Sequence, residues 1–504
     1  MNKLEIHSKK VGKFLLITNG LVALIYFSWW FFPTHLGNPV LYFLLLFGET
    51  YHLFMLLSFL HTLWPKETKI LRKKNKEEFS PTIDVFIPVT DEPPEVIRKT
   101  VLAAKGMEGY AHNTYILNDG FAAGKPNWER VENLALELGV TCITRKRSWG
   151  AKAGNINNGL MFSSGEIIVI FDADMVPYPN FLKKVIPYFG SDKVAFVQTP
   201  QYYRNHSENY ITGTSWEQQE FFFGAIMIGK NGSNSAFICG TNVAIRRRAL
   251  LEVGGMYEKS IAEDFLTSIL IHEKGWTSHY VPNVLAEGLA PYDFLSYFKQ
   301  QSRWARGSIE VLLRQNPFFK KTLTFRQKIE YLASSLYYFN GFIVLIDITM
   351  PLIFLFTGIQ PVTTTTTSFA LFFLPYMFLI LSNLYISSKG YLTFRAISFS
   401  YSSWLLQLIA IKSSLFNEKS EFMVTPKKVS SGNFMHLVYV HISYSLLVFL
   451  GIGLSIYREG INPSVITNAA WGLFNVIMFF PYIKSSYDWE SLTRGLRFSP
   501  RTDL

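Results

Sequence analysis

Six long apolar stretches constrain the fold of this 504-residue chain more than any other feature. Residues 14–32 carry no charged side chain, and residues 40–64 carry a single acid, Glu49, together with two histidines. Each stretch is long enough to cross a bilayer as a helix. Further stretches of this kind lie near 331–357, 366–387, 434–457 and 466–484. The sequence therefore predicts an integral membrane α-helical protein with about six transmembrane helices.

The first apolar stretch follows a basic N-terminal segment, so a cleaved signal peptide is the alternative to a retained helix. Its apolar run is longer than the core of a signal peptide, and no small-residue cleavage site follows it. We therefore expect this stretch to be retained as a membrane anchor.

The net charge of +11 is explained by where the basic residues stand relative to these stretches. The short links 33–39 and 358–365 contain no Lys or Arg, whereas the N-terminus, the long middle region, residues 388–433 and the tail contain nearly all of them. Because basic residues favour the cytoplasmic side, the N-terminus, residues 65–325 and the C-terminus are predicted to be cytoplasmic. We expect a multi-pass protein of the plasma (inner) membrane and no nucleic-acid partner.

The two cysteines, Cys142 and Cys239, are too few for a disulfide framework or a zinc site. The expected organisation has four parts. These are two transmembrane helices in residues 1–64, a cytosolic domain ending in amphipathic interface helices in residues 65–325, four transmembrane helices with an interface helix in residues 326–485, and a short cytosolic tail in residues 486–504.

Residues 83–200 alternate short apolar runs with helix-like stretches. This alternation is typical of an α/β fold with a parallel sheet, in which ligands bind beyond the carboxyl ends of the strands. The polar residues that follow the predicted strands are Thr90, Asp91, Glu92, Asn118, Asp119, Asp172 and Asp174. A ligand site is therefore expected at this edge of the sheet.

Asp172 and Asp174 stand one residue apart in the string IVIFDADMVP, directly after a predicted strand. Two such carboxylates are costly to bury without a positive partner. A hard divalent cation, Mg²⁺ or Mn²⁺, suits them, since Mg²⁺ is commonly held by one or two carboxylates together with substrate phosphates. The alternative is that the two aspartates cap the following helix.

Three further strings place charged or aromatic residues near predicted helix starts. Lys152 in GAKAGNINNG could reach a diphosphate beside backbone N–H groups. Glu263 and Asp264 begin an apolar helix, where the alternative is a simple interaction with the helix dipole. Arg303 and Trp304 stand at the start of an amphipathic helix, where the alternative is an anchor in the membrane interface.

Taken together and in this order, these strings resemble those of the processive family-2 glycosyltransferases, closest to bacterial cellulose synthase catalytic subunits. The family pattern of an Asp, an Asp-x-Asp, a Thr-Glu-Asp and a Gln-x-x-Arg-Trp corresponds here to Asp119, Asp172 with Asp174, Glu263 with Asp264, and Gln300 with Arg303 and Trp304. Other family-like strings are AKAGN (151–155), VQTPQ (197–201), FICGTN (237–242) and FMVT (422–425). The resemblance extends over residues 83–430.

The resemblance implies a cytosolic α/β GT-A-type (Rossmann-like) glycosyltransferase domain beside a transmembrane channel. The chain would be an inverting, UDP-sugar-dependent hexosyltransferase that polymerises glucose from UDP-glucose into a β-glucan, cellulose-like or capsular. It would pass the growing polysaccharide across the lipid bilayer.

The same resemblance assigns roles to residues of this chain. Mg²⁺ or Mn²⁺ would be held by Asp174 and Asp172, and Asp264 beside Glu263 would be the general base. The donor would be bound by Thr90, Glu92, Asp119, Lys152 and Asp172. The other substrate-binding residues would be Gln198, Cys239, Gly240, Gln300, Arg303 and Trp304, with Phe422, Val424 and Thr425 in a gating loop within residues 392–430.

The chain departs from the family pattern at Thr90, Asn118, Gly150, Met175 and Ala262. Met175 stands where cellulose synthases often have a histidine near the metal, and a thioether is a poor ligand for a hard cation. Thr90 stands where relatives often have an aromatic partner for the uracil. None of these departures removes a catalytic carboxylate, but they leave the sugar and the linkage open.

Two other functions stay as alternatives. The same machinery would serve N-acetylglucosamine or a hyaluronan-type polymer, although the FMVT and VQTPQ strings favour the cellulose-like branch. A transporter with a nucleotide-binding regulatory domain would also contain six spans, but here the middle region carries a full set of catalytic residue types. An activator, an accessory subunit and the oligomeric state are left open. The RFSPR string at 497–501 matches the opening of a cyclic-di-GMP-binding PilZ domain, but we expect no such domain, because too few residues follow it.

Overall fold

The computed structural model describes residues 3–65, 79–416 and 432–487. The predicted gating-loop residues Phe422, Val424 and Thr425 lie outside these ranges, as does the RFSPR string.

Two long helices precede the α/β domain: α1 (Lys3–Trp29) and α2 (Pro39–Leu63). Helix α2 begins at Pro39 because proline suits the first helical position and the Asn38 side chain accepts a hydrogen bond from the Leu41 N–H at 3.2 Å.

The α/β domain follows. Its strands are β1 (Ile83–Val89), β2 (Asn113–Asn118), β3 (Thr141–Thr144), β4 (Ile167–Ile170), β5 (Val176–Pro177), β6 (Val194–Gln198), β7 (Tyr202–Tyr203), β8 (Val243–Arg246), β9 (Thr277–Tyr280) and β10 (Ala286–Gly288). Its helices are α3 (Pro94–Lys105), α4 (Trp128–Leu138), α5 (Ala151–Met161), α6 (Phe181–Val185), α7 (Tyr210–Phe221), α8 (Ile228–Asn231), α9 (Arg247–Glu252) and α10 (Glu263–Glu273). A π-helical turn, Phe222–Met227, joins α7 to α8.

The main sheet has the strand order β3-β2-β1-β4-β8-β6-β9. Strands β1 to β4 are parallel, as predicted for residues 83–200, whereas β8, which lies outside that range, runs antiparallel to β4 and β6. The reason is that the chain between β6 and β8 makes no crossover to the opposite edge. It leaves β6 at the carboxyl edge and returns to that edge, so the next strand runs backwards. A small second sheet, β5-β10-β7, lies beside this edge.

The core of the domain consists of two apolar layers, one on each face of the main sheet. All seven residues of β1 are buried, and successive side chains of a strand point to opposite faces. Val85 and Ile87 pack with α3 and α4, whereas Phe86 packs with α5. The strands are therefore fixed from both sides, and their carboxyl ends form a rigid edge.

Among the residues that the structure describes, eight α-helices follow the α/β domain. They are α11 (Phe294–Arg314), α12 (Phe325–Leu336), α13 (Asn340–Thr357), α14 (Thr366–Ser387), α15 (Phe394–Ser402), α16 (Trp404–Leu415), α17 (Tyr439–Glu459) and α18 (Pro463–Ser485). The expectation that Arg303 and Trp304 begin a helix is wrong. Helix α11 begins nine residues before Arg303, because the Asp293 side chain caps it by accepting the Ser296 N–H at 2.8 Å.

Within the described part of the chain, six helical segments are long and apolar enough to cross a membrane, as the sequence predicts. They are Gly12–Trp29, Pro39–Leu63, Phe325–Thr357, Thr366–Ser387, Tyr439–Glu459 and Pro463–Ser485. Helix α13 packs against α2, α16, α17 and α18, so it holds a central position among these helices.

A buried ion pair joins the α/β domain to the membrane helices. Lys230 at the end of α8 lies with its Nζ 3.2 Å from Glu330 Oε2 on α12, and both side chains are almost fully buried. Thr62 on α2 donates its hydroxyl to the same carboxylate oxygen at 2.8 Å. The carboxylate on α12 therefore contacts groups from two other helices, α8 and α2, which fixes the domain against the ends of α2 and α12.

Candidate active site

The Asp172–Asp174 turn follows β4 at the carboxyl edge of the main sheet. The Met175 N–H donates to the Asp172 carbonyl at 2.9 Å, and the Thr100 hydroxyl of α3 donates to the Ala173 carbonyl at 2.7 Å. Asp174 is nearly buried, whereas the Asp172 side chain keeps 38% of its surface exposed. The turn is thus held by the domain and presents Asp172 toward an open crevice.

Lys152 lies in the first turn of α5 and contacts this turn directly. Its Nζ donates to Asp172 Oδ1 and to the Gly240 carbonyl, the latter at 2.9 Å. Burial by itself would lower the pKa of Lys152, but Asp172, Glu263 and Asp264 outweigh it and raise that pKa. Lys152 is therefore a positive charge at neutral pH, and it is the positive partner of Asp172.

Gly240 brings Lys152 and Asp264 together. Its φ is +79°, in the left-handed region that favours glycine. A Cβ placed on Gly240 would lie 3.3 Å from Asp264 Oδ2 and 3.5 Å from Lys152 Nζ. A glycine therefore lets the backbone pass between an acid and a cation that come from different helices.

Gln198 holds the Gly240 loop from behind. Its Nε2 donates to the Thr241 carbonyl at 2.8 Å, and its Oε1 accepts the Cys239 N–H at 2.9 Å. The Gln198 side chain has no exposed surface. The structure thus places this predicted substrate-binding residue beneath the loop, and not in the crevice.

Glu263 and Asp264 begin α10, as predicted, and face Lys152 and Arg303. Burial raises the pKa of Glu263 to about 8, and Asp264 adds to the shift. Burial also raises the pKa of Asp264, while the Phe265 N–H, Lys152 and Arg303 oppose it. An aspartate of raised pKa is a stronger base than usual, so the site contains a group suited to accept a proton.

Arg145 is a site residue that the sequence analysis missed. It donates to both carboxylate oxygens of Asp119, one at 2.7 Å, and both side chains are nearly buried. It also donates to the carbonyls of Trp149 and Ala151, the latter at 2.9 Å. Arg145 thereby ties the end of β2 to the start of α5. The available signal was its position directly after β3, at the edge where the acids gather.

Trp149 lies beside this ion pair. The guanidinium carbon of Arg145 is 4.8 Å from the Trp149 ring centroid, a cation–π geometry. The indole keeps 39% of its surface exposed. The rim of the crevice near Asp119 therefore presents an aromatic face, although Thr90 supplies none.

Glu92 folds back onto its own loop after β1. Its Oε2 accepts the N–H of Thr90 at 2.7 Å and that of Asp91 at 3.1 Å. Burial raises the pKa of Glu92, and the nearby Asp174 raises it further against these hydrogen bonds. Asp174 after β4 thus lies close enough to Glu92 after β1 to raise the pKa of Glu92.

Helix α11 carries Gln300, Arg303 and Trp304, whose side chains are all half-buried. Gln300 lies near Tyr203, and Arg303 lies near Glu263 and Asp264. A Cβ on Gly307 would lie 2.8 Å from the Cβ of Ala262, so α11 passes directly against the start of α10. The small side chain at 262, where the family pattern has threonine, suits this close approach.

Tyr203 is the second residue that the sequence analysis missed. Its side chain is buried, and the Gln300 side chain lies close enough to its hydroxyl to oppose the rise of its pKa. Burial raises the pKa of Tyr203, and the nearby Asp174 adds to this effect. Tyr203 therefore bridges the Asp172–Asp174 turn and α11. No motif marks it, because the contact forms only in the folded chain.

Two sulfur-containing residues near the site are held away from metal chemistry. Met175 is buried, and its Sδ lies 3.7 Å from Asn242 Nδ2. Burial and the nearby Asp264 raise the pKa of the Cys239 thiol, so that the thiol stays protonated. The oxygen atoms of the aspartates are the better metal ligands here.

The donor set fits a divalent cation that shares its ligands with a substrate. Among the residues that the structure describes, no three His, Cys, Asp or Glu side chains form a closed metal cage. Asp172 and Asp174 could supply carboxylate oxygens to a cation that also takes water and phosphate oxygens, the arrangement common for Mg²⁺. A cavity of about 370 Å³ reaches Asp174 from the side of α3 and is also lined by Lys99, Arg204 and Tyr292.

Comparison with known proteins defines the class. Residues 167–384 match the family model described as Glycosyl transferase family group 2. A mannosyltransferase from Pyrobaculum calidifontis, solved in complex with GDP-Man and Mn²⁺, has the same fold with a TM-score of 0.52 at 15% identity, over 75% of this chain and 100% of that chain. Residues 167–384 therefore carry a match to a glycosyltransferase family, the α/β domain has a GT-A-like fold, and the described residues include six candidate membrane helices, so the predicted fold class and enzyme class are confirmed.

Curated relatives of the chain include bacterial cellulose synthases, as the sequence motifs predict. The cellulose synthase catalytic subunit of Komagataeibacter sucrofermentans is 28% identical over 98% of this chain, and that of Pseudomonas fluorescens is 30% identical over 72%. Cellulose synthase 2 of Novacetimonas hansenii is 30% identical over 97%. The alignments cover 68%, 50% and 32% of these relatives respectively, so the chain spans only part of their length.

Proposed function

We propose that the chain is a membrane-embedded, inverting and processive glycosyltransferase that polymerises glucose from UDP-glucose into a β-glucan and moves the product across the membrane. The observation that carries the proposal is the meeting of Lys152 and Asp264 at Gly240, beside the helix that bears Arg303. This arrangement supplies a cation for a leaving diphosphate and a base for an incoming hydroxyl. The description of the relatives as UDP-forming cellulose synthase subunits supports the choice of donor.

The donor nucleotide would bind along the edge from β2 to β4. Lys152 would face the diphosphate, together with N–H groups of the first turn of α5. Asp119 and Glu92 would contact the uridine. Arg145 occupies one acceptor position on each oxygen of Asp119, and a carboxylate oxygen has a second lone pair with which it can accept a donor group of the nucleoside.

Asp174 and Asp172 would hold the divalent metal, Mg²⁺ or Mn²⁺, together with diphosphate oxygens. The metal would supply charge stabilisation for the departing diphosphate. Lys152 contacts Asp172 directly, so the cation of the chain would act next to the metal. The metal and Lys152, both positively charged, would then stabilise the negative charge that builds up on the diphosphate as UDP leaves.

The transfer would be a single displacement. The acceptor hydroxyl gives its proton to Asp264 as its oxygen bonds to the anomeric carbon, and the bond from that carbon to the diphosphate oxygen breaks, releasing UDP. Because attack and departure occur on opposite faces, an α-linked donor gives a β-linked product. Gln300, Arg303 and Trp304 on α11 would hold the acceptor sugar, with the indole of Trp304 under the apolar face of the ring. Phe422, Val424 and Thr425 would belong to the loop that closes over the donor.

The product would leave through the helices that follow the α/β domain. The distribution of basic residues supports a cytoplasmic α/β domain in a multi-pass protein of the plasma (inner) membrane. Residues 1–64 and 326–485 would form the membrane region, and residues 65–325 the cytosolic glycosyltransferase domain. A polymer made beside α11 would then start its passage at the cytoplasmic ends of these helices.

The test uses purified full-length protein in liposomes, labelled UDP-glucose and Mg²⁺ or Mn²⁺. We expect a labelled polymer of high molecular weight that a β-specific glucanase degrades, and linkage-specific enzymes would name the linkage. The Asp264→Asn protein, reconstituted in the same way, is the matched inactive control. If UDP-glucose gives no polymer while UDP-N-acetylglucosamine or UDP-glucuronate does, the proposed sugar is wrong and the hyaluronan-type alternative takes its place.

A further inference from the structure

A buried carboxylate on α7 joins the α/β domain to the segment that follows α14. Glu217 Oε1 accepts hydrogen bonds from the Arg395 guanidinium, from Nε at 2.8 Å and from Nη2 at 2.5 Å, and its Oε2 accepts the Thr393 hydroxyl at 2.5 Å. The Glu217 side chain is almost fully buried, whereas Arg395 keeps 31% of its side-chain surface exposed. A buried carboxylate is costly without such partners, so this contact fixes where the start of α15 lies against α7. We call these three residues, together with Gln218, the α7 joint.

The surface of α7 is shaped to receive Arg395. A Cβ on Gly213 would lie 2.7 Å from both Nη atoms of Arg395, so a larger residue at that position would displace the guanidinium. The guanidinium carbon also lies 5.5 Å from the Tyr210 ring centroid. The glycine, the ring and the Glu217 carboxylate all belong to one helix, and together they admit a planar, forked cation.

Gln218, the next residue of α7, joins α11 to α15. Its Oε1 accepts the Tyr297 hydroxyl of α11 at 3.1 Å. Its Nε2 donates to the Ser400 hydroxyl of α15 at 3.0 Å and to the Ala396 carbonyl at 3.3 Å. Tyr297 is buried and lies one helical turn before Gln300. The part of α11 that bears Gln300 is thereby linked through α7 to α15.

Helix α15 is in turn fixed to α18, one of the six candidate membrane helices. The hydroxyls of Ser398 and Ser402 on α15 both donate to the Met478 carbonyl of α18, at 2.6 and 3.1 Å. The Tyr401 hydroxyl donates to Asn475 Oδ1 of the same helix at 2.7 Å. The α7 joint and α15 therefore connect α11 to a membrane helix through directional polar contacts.

The polar character of the joint indicates a role in geometry more than in stability. Replacing a buried ion pair by apolar side chains of similar size often leaves the stability of a protein unchanged. Thr393 stands at the N-cap of α15, but its side chain makes no capping hydrogen bond and bonds to Glu217 instead. Because a capping threonine contributes to helix stability, the chain forgoes a local stabilising contact for a directional contact with α7.

We propose that Glu217 and Gln218 are positioning residues that hold α11 in register with α15, and that this register sets the length of the polymer. The effect on length rests on the proposed function, in which Gln300, Arg303 and Trp304 on α11 hold the acceptor sugar and the product leaves through the membrane helices. If α11 shifts relative to α15, the acceptor end no longer lies in line with the helices that receive the chain, and the polymer is released early. The hydrogen bonds of Glu217 and Gln218 go to α11 and α15, so the rate of a single transfer should depend little on either residue.

The test uses purified full-length protein in liposomes with labelled UDP-glucose, and it measures the initial rate of UDP release and the length of the polymer separately. The double variant Glu217→Met, Arg395→Met replaces the ion pair by unbranched apolar side chains and leaves the Thr393 hydroxyl free to cap α15. We expect its polymer to be about tenfold shorter than that of the wild type, because changes at a contact surface act mainly on the rate of release. Its rate of UDP release should stay within about threefold of wild type, since no contact to the reacting groups is removed.

A second variant and a matched control separate positioning from folding. Gln218→Leu removes the hydrogen bonds to α11 and α15 while keeping the ion pair, and it should also shorten the polymer. The control, Arg98→Met with Glu137→Met, removes another forked Arg–Glu pair, which joins α3 to α4 at 2.6 and 2.5 Å within the α/β domain. The control should keep the wild-type polymer length, and thermal unfolding of each variant in detergent reports whether it folds.

Amide hydrogen exchange of residues 294–304 gives a readout that does not depend on polymer synthesis. Exchange in this part of α11 should rise in the double variant and in Gln218→Leu but not in the control. Wild-type polymer length in the folded double variant would overturn the proposal, as would losses of rate and thermal stability at unchanged length, which mark a purely structural role. Raised exchange in both variants of a chain that makes no polymer from any UDP-sugar would leave the positioning of α11 standing while refuting the proposed function.

Discussion

Replacing Gly240 by alanine tests whether the backbone passes between Asp264, the proposed base, and Lys152, the cation proposed to face the diphosphate. The residue has a φ of +79°, and a left-handed backbone costs a residue with a Cβ about 1–2 kcal/mol, so the variant should unfold at a lower temperature. The new methyl group would also stand 3.3 Å from Asp264 Oδ2 and 3.5 Å from Lys152 Nζ, closer to the carboxylate than ordinary packing allows. Asp264 would have to shift by a few tenths of an ångström.

Gly254→Ala is the matched control for this substitution. Its φ is +85°, so the backbone cost is the same, but a methyl group there meets nothing within 4 Å. Misplacing a reacting group by 1 Å costs on the order of 100-fold in rate, so the smaller shift at Gly240 should reduce the rate by about tenfold beyond the control. Thermal unfolding in detergent gives the stability difference, and initial rates of UDP release give the activity. If both variants lose equal stability and keep equal rates, Gly240 does not hold the two groups apart and the reasoning fails.

Three other perturbations separate the roles of neighbouring groups. Burial raises the pKa of Glu263 to about 8, so its carboxyl is protonated at neutral pH and Glu263→Gln should keep its rate within about tenfold of wild type. Asp264→Asn should lose about 1000-fold or more in rate while still binding UDP in calorimetry. Equal losses of rate in both variants would contradict the assignment of Asp264 as the base. Removing divalent metal with EDTA should stop synthesis, and added Mn²⁺ should restore it; an unchanged rate in EDTA would exclude the metal. Tyr203→Phe should remove the hydroxyl beside Gln300 and slow polymerisation about fivefold. Tyr178→Phe, which removes a hydrogen bond to Glu287 of the small second sheet, should not slow it. Indistinguishable rates would remove Tyr203 from the site.

Sequence patterns predicted the parts of the fold that depend on local order. Short apolar runs separated by amphipathic stretches predict the alternation of strands and helices from β1 to β4. The carboxylates after those strands, including Asp172 and Asp174, follow from the position of the strand ends alone. The six membrane segments could also be predicted from the sequence, because a helix that crosses a bilayer mainly needs a long stretch of uncharged, apolar residues.

The parts that were missed depend on contacts between distant segments. The antiparallel direction of β8 depends on which edge the chain returns to after β6, and no periodicity encodes that choice. Arg145 and Tyr203 became visible as site residues only when folding placed them against Asp119 and Gln300. The start of α11 was misjudged because its motif is in the middle of the helix, while its cap at Asp293 lies outside the motif.

The central claim, that one chain both makes a glucan and moves it across the membrane, is tested most directly by the location of the product. Proteoliposomes whose α/β domains face outward are supplied with labelled UDP-glucose, and β-glucanase is then added outside. We predict that the labelled polymer lies inside the vesicles and resists the enzyme until detergent opens them. A polymer that is fully digested in intact vesicles would show synthesis without passage and would contradict the account.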